Sequence, residues 1–152
     1  MMDTNVKGLI YVSRTVLPFM VEQNSGHVLN IGSTAGAGAY AKGAVYCASK
    51  AAVVQYCESL RVELYGTGVK VTTILPGFID TPMTQANPYK MPFLMPVEDF
   101  AAQAVRAINQ QKSYKVIPWQ MGVLAKIMRL IPNGLYDKIL SRRKRKPRAG
   151  EK

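Results

Sequence analysis

The sequence predicts an α/β fold with a parallel sheet, on two observations. Three short β-branched runs alternate with long amphipathic stretches, and Gly- or Pro-rich breaks separate them. The 152 residues are 48% apolar and 19% charged, which suits one packed domain and excludes disordered, collagenous and coiled-coil classes.

The elements follow in order. A first helix is expected over 4–23, capped by Asp3 or Thr4, with Val6, Leu9, Ile10, Leu17 and Met20 as its apolar stripe. Asn24-Ser25-Gly26 ends it, and His27-Val28-Leu29-Asn30-Ile31 reads as a strand. Three glycines within 32–42 predict loop there. A second long helix is expected over 44–65, stopped by Gly66-Thr67-Gly68. Residues 69–75 (Val-Lys-Val-Thr-Thr-Ile-Leu) form the strongest strand signal, closed by Pro76-Gly77. Val97-Glu98-Asp99 opens a third helix to about 110, a short strand follows at 114–117, and 120–140 reads as two amphipathic helices split at Pro132-Asn133-Gly134. No internal repeat is present.

Charge is uneven. The net charge is +11, but residues 1–137 hold 12 Lys and Arg against 8 Asp and Glu, whereas 138–152 hold 8 against Glu151 alone. The basicity is therefore concentrated in a tail, Arg142-Arg143-Lys144-Arg145-Lys146-Pro147-Arg148, and a nucleic-acid-binding domain is not expected from it, because no aromatic-interleaved basic face accompanies it. The apolar residues of 124–140 followed by this tail form the pattern of a peripheral membrane contact, and suit a subunit contact or a solubilising tail equally. No run reads as a bilayer span, and Met1-Met2-Asp3-Thr4 lacks the basic flank of a secretory signal. Cys47 and Cys57 fit neither a metal pair nor a disulfide framework, so no metal site and a reducing, cytoplasmic setting are expected.

Chemistry-bearing residues collect beyond the carboxyl ends of predicted strands, the rim where open parallel sheets bind ligands. Ser33 follows the first strand, Pro76-Gly77 follow the second, and Tyr46 and Lys50 open the second long helix. Tyr46 and Lys50 are spaced i, i+4 and share one helical face. A phenol titrates too high for acid–base work at neutral pH. An ammonium ~5 Å away, at an effective dielectric of ~20, favours the phenolate by roughly 3 kcal/mol, or about 2 pK units. The helix N-terminus acts in the same sense. Such a phenol exchanges protons with a carbonyl or alcohol oxygen, and a Ser hydroxyl beside it can hold that oxygen in place. A lone Tyr-x-x-x-Lys is usually a solvated helix pair, and a Ser in a Gly-rich loop is usually only a loop residue. The combination carries the argument.

Ser33 precedes Tyr46 by 13 residues, with Ala35-Gly36 between them. The helix reads Tyr46-Cys47-Ala48-Ser49-Lys50-Ala51-Ala52, and after the next strand comes Pro76-Gly77-Phe78-Ile79-Asp80-Thr81-Pro82-Met83. This resembles the short-chain dehydrogenase/reductase family over about residues 4–83, and more loosely to about 118. The resemblance implies a Rossmann-like three-layer parallel sheet, incomplete here with about three strands. It also implies hydride transfer between NAD or NADP and a small carbonyl/alcohol substrate. By this likeness Tyr46 is the acid/base, Ser33 orients the substrate oxygen, and Lys50 holds the nicotinamide ribose and eases proton loss from Tyr46. Asn5 matches the helix Asn that anchors a relay water, and Pro76, Gly77, Ile79 and Thr81 match the segment that receives the nicotinamide carboxamide. The two long helices resemble the pair through which the family forms oligomers.

The Gly-rich turn that holds the pyrophosphate has no match in the 152 residues, nor does the residue that separates NAD from NADP. The expectation is therefore a truncated form, lacking roughly 60 residues or more of two βαβ-type units. The alternative is a non-catalytic remnant that binds an intact homologue or a membrane surface. The expected organisation is a catalytic part at 1–118, amphipathic helices at 119–141 and a basic tail at 142–152. The apolar set Met83, Met91, Phe93, Leu94 and Met95 suits either a lid over the substrate or packing against the body.

Overall fold

A computed structural model describes residues 1–38, 43–87 and 90–141. The chain enters as a wide π-type turn, Asp3–Gly8, that continues as helix α1, Leu9–Glu22. Neither Asp3 nor Thr4 caps it. Helical dihedrals already hold at Met2, whereas a capping residue needs extended backbone. Asp3 instead pairs one turn on with Lys7, at 2.7 Å.

Strand β1, Gly26–Ile31, leads into a short helix α2, Thr34–Ala37, and then the long helix α3, Ala44–Glu63. Strand β2, Val69–Pro76, follows, then a two-residue strand β3, Ile79–Asp80, and a single helical turn α4, Pro82–Gln85. Strand β4, Met95–Pro96, opens into helix α5, Val97–Asn109. Strand β5, Tyr114–Ile117, and helices α6, Trp119–Leu130, and α7, Asn133–Leu140, complete the described chain.

The main sheet is parallel, in the order β1-β2-β5, with Ile31 opposite Ile74 and Pro76 opposite Ile117. β2 is central, and all its residues except Lys70 and Pro76 are buried, as a strand covered on both faces requires. One face is covered by α1 and α3, where Leu9, Leu17 and Met20 pack with Val53, Cys57 and Leu60 on Val28, Val69 and Val71. The other is covered by α5, where Ala104, Phe100 and Ile108 pack on Ile74 and Ile117. The result is the expected three-layer Rossmann-like arrangement. β1 keeps a free outer edge among the described residues, with Leu29 40% and Ile31 48% exposed.

One joint sets the start of β2. Asn24, with φ of 49°, ends the first helical run, and its Oδ1 accepts from Gly68 N at 2.7 Å. A Cβ on Gly68 would lie 1.6 Å from the Asn24 carbonyl oxygen, so only glycine allows this approach. The apolar 83–95 set divides. Met95 packs on the α5 side of the core, Met91 is half-buried, and Met83, Phe93 and Leu94 stay exposed.

Candidate active site

β1 delivers Ser33 two residues beyond its last member. The sequence predicts loop over 32–42, but the backbone turns helical at once. Ser33 is extended, with φ −167° and ψ 152°, and its Oγ accepts from Ala35 N at 3.1 Å, a side-chain cap for α2. Residues 39–42 lie outside the described residues. Gly36 then rests directly on the backbone of α3: a Cβ there would lie 2.5 Å from the Lys50 carbonyl oxygen and 2.7 Å from its carbon. This contact presses the Ser33 turn against the helix that carries Tyr46 and Lys50.

Tyr46 sits in the first turn of α3 and is 40% exposed. Lys50 lies one turn on, half-buried, and its Nζ donates to the Ile31 carbonyl at 3.1 Å. Burial lowers the Lys50 pKa from its ordinary 10.5. The ammonium thus ties α3 to the end of the strand that carries Ser33. Asn5, in the entering turn, donates from Nδ2 to Ser49 Oγ at 3.2 Å, and Ser49 Oγ donates to the Tyr46 carbonyl at 2.8 Å. Ser49 is completely buried.

The 76–81 segment lies at the carboxyl end of β2, beside that of β1. Gly77 N donates to the Ile117 carbonyl at 2.8 Å, and a Cβ on Gly77 would meet Met121 Cγ at 2.7 Å. Ile79 pairs with Met95. Thr81 N donates to Thr84 Oγ1 at 2.9 Å, while Thr84 Oγ1 lies 2.6 Å from the Ile79 carbonyl. Short bonds therefore hold Ile79 and Thr81 in a fixed turn.

Lys50 bonds the last residue of β1, two positions before Ser33; Tyr46 stands one turn back on the same helix, Asn5 bonds Ser49 on it, and Pro76, Gly77, Ile79 and Thr81 lie at and beyond the end of the neighbouring strand. Sequence reasoning missed Ser49 and Gly36. Ser49 had a signal, since a helical Ser can bond the carbonyl one turn back. Gly36 had none, because its constraint comes from a backbone distant in the chain. Two clefts of about 450 and 340 Å³ lie between α2, α3, β5 and α6, lined by Ala37, Tyr114 and Arg129 among others.

The residues fit one end of a nicotinamide dinucleotide. An ammonium has three donors, of which Lys50 gives one to Ile31, leaving two for a ribose diol. The pyrophosphate end has no Gly-rich cradle among the 152 residues.

The chain is similar to several known proteins. The family model described as short chain dehydrogenase matches residues 1–91. An uncharacterized oxidoreductase of Myxococcus xanthus is 42% identical over 135 residues, which cover 89% of this chain and 53% of that protein. The NADP-dependent 3-hydroxy acid dehydrogenase YdfG of Escherichia coli is 58% identical over 79 residues, or 52% of this chain and 32% of that one. A short chain dehydrogenase of Burkholderia cenocepacia, solved in complex with NADP, superposes with a TM-score of 0.75 over 91% of this chain and 57% of its own, at 25% identity. The chain thus spans about half the length, or less, of the curated relatives it matches. With the family model covering more than half of its residues, the chain belongs to the short-chain dehydrogenases, a family of oxidoreductases.

Proposed function

We propose that this chain is the catalytic part of an NAD(P)-dependent oxidoreductase that interconverts a small carbonyl and its alcohol. The observation that carries the reading is the Lys50–Ile31 bond, which joins the helix bearing Tyr46 to the strand end bearing Ser33. Tyr46 gives its hydroxyl proton to the carbonyl oxygen in reduction and takes it back in oxidation. The Ser33 oxygen already accepts from Ala35 N, which leaves its hydrogen to donate to the same substrate oxygen. Lys50 holds a ribose hydroxyl pair and keeps a positive charge near the Tyr46 turn. Asn5 uses one amide N–H on Ser49, which leaves its Oδ1 and its second N–H to hold a water for proton exchange. A nicotinamide, when bound, supplies or accepts the hydride. Gly77, Ile79 and Thr81, fixed by their turn, would border its carboxamide, with Pro76 closing the strand behind them.

Two further parts belong to this reading. The body at 1–118 is the catalytic unit, followed by the α6–α7 segment and the basic tail. Subunits pair through α1 and α3, which leave Tyr11, Val12 and Phe19, and Val45 and Val62, exposed. The residue that separates NAD from NADP has no match in the 152 residues, and the YdfG relatives are named NADP-dependent.

The test is Tyr46→Phe in the protein at its natural length, assayed against a panel of ketones and secondary alcohols. Turnover should fall by at least about a hundredfold, while dinucleotide affinity read by NADPH fluorescence stays within about threefold. Substantial residual turnover would show that another group moves the proton.

A further inference from the structure

The proposed chemistry leaves α6 and α7 unused, and they carry a feature of their own. At 100° per residue, Trp119, Val123, Ile127 and Leu130 fall within an arc of about 80° on α6. All four are exposed, Trp119 at 64% and Leu130 at 83%. The opposite face of α6 is the one that packs, with Met121 and Ala125 buried and Met121 against Gly77. α6 is therefore apolar on both sides, and only one side is covered. α7 adds Leu135 and Ile139, exposed one turn apart.

We propose that this double stripe is a docking surface for an anionic lipid bilayer. Charge selects the occupant. Lys126 and Lys138 flank the apolar positions of their helices, and the only acidic residue in 119–141 is Asp137. Six further Lys and Arg follow in 142–148, so apolar side chains and a dense positive charge are adjacent in the chain. A second copy of the same face would bring these like charges together, which disfavours self-pairing. A nucleic acid would leave the apolar stripe without a partner. An anionic bilayer satisfies both, with Trp and Leu entering the headgroup boundary and the basic residues meeting phosphate and carboxylate. Among the described residues no helix is long and apolar enough to cross a membrane, so the contact is one of surface docking.

The experiment is vesicle co-sedimentation of the full chain, using phosphatidylcholine alone and with about 30% phosphatidylserine. Binding should require phosphatidylserine and weaken at least about tenfold between ~0.1 and ~0.5 M salt. The pair I127D and L130D, both at exposed positions, should leave the circular dichroism spectrum and melting temperature unchanged and lower partitioning at least about tenfold. The pair K126E and K138E should lower it by a similar factor on anionic vesicles only. Equal binding to neutral vesicles, absence of binding, or binding indifferent to both variant pairs overturns the proposal. So does loss of a dimer in I127D/L130D by light scattering when the parent chain ignores vesicles. Because turnover is not a readout, failure here leaves the assignment of Tyr46 intact, and failure of that assignment leaves this one intact.

Discussion

At the scale of single residues, the buried thiol of Cys57 shows how position changes chemistry. Its side chain is 1% exposed in the α1–α3 core, and burial pushes its pKa above the ordinary 9.0, partly offset by the Thr73 and Asn30 side chains. Above pH 9.0 the unfolded chain has lost this proton while the folded chain still holds it, so stability falls as pH rises. Lys50 acts in the opposite sense, because its depressed pKa makes the folded chain release a proton first. Urea denaturation of the wild type and Cys57→Ala at about pH 8 and about pH 10 separates the two effects. The wild type should lose more stability between those pH values than the variant does. Equal losses would mean that the folded thiol ionises as readily as the unfolded one. The motif residues Ser33, Tyr46 and Lys50 were legible from order and spacing alone, whereas the bond that Asn5 makes to Ser49 across 44 positions is visible only in the folded chain.

At the scale of elements, the long helices and the three main strands lie close to their expected places. Amphipathic spacing over many residues is a strong signal, and Gly or Pro marks the ends. The short elements were not legible. α2, β3 and β4 run for two to four residues, too few to show a period, and form because partners elsewhere fix them. α2 is the most consequential, since it holds the Ser33 turn on α3 through Gly36. Gly36→Ala places a methyl group within 3 Å of the Lys50–Ala51 backbone, which cannot rotate away. The substitution should destabilise the chain by about 1–3 kcal/mol in denaturant titration. In the proposed enzyme it should also lower turnover, because Ser33 would shift relative to Tyr46. A variant of wild-type stability would show that α2 can lift without disturbing the core.

For the whole molecule, the exposed edge of β1 has the largest consequence. Leu29 and Ile31 lie solvent-exposed on a strand that, among the described residues, no further strand flanks, a template for strand pairing. The 152-residue chain by itself should therefore self-associate with rising concentration, measured by light scattering. Leu29→Lys with Ile31→Lys should suppress this without loss of helical signal. Association unchanged by both lysines would locate the sticky surface elsewhere, for instance on α1 and α3. The same chain should bind NADPH weakly or not at all in calorimetry, because no Gly-rich cradle for the pyrophosphate is among its residues. Tight stoichiometric binding would refute that expectation.

By itself, the sequence determined the fold class, the order of the main elements and the family, and named the candidate residues at the strand ends. These are local quantities, carried by periodicity, turn residues and the spacing of a motif along the chain. Only the tertiary structure decided that Ser33 caps a helix, that Lys50 reaches Ile31, that Gly36 and Gly68 touch distant backbone, and that α6 leaves one apolar side uncovered. Each of these depends on which surfaces meet once β1, β2 and β5 align. Such contacts join residues far apart in the chain, so no local pattern carries them.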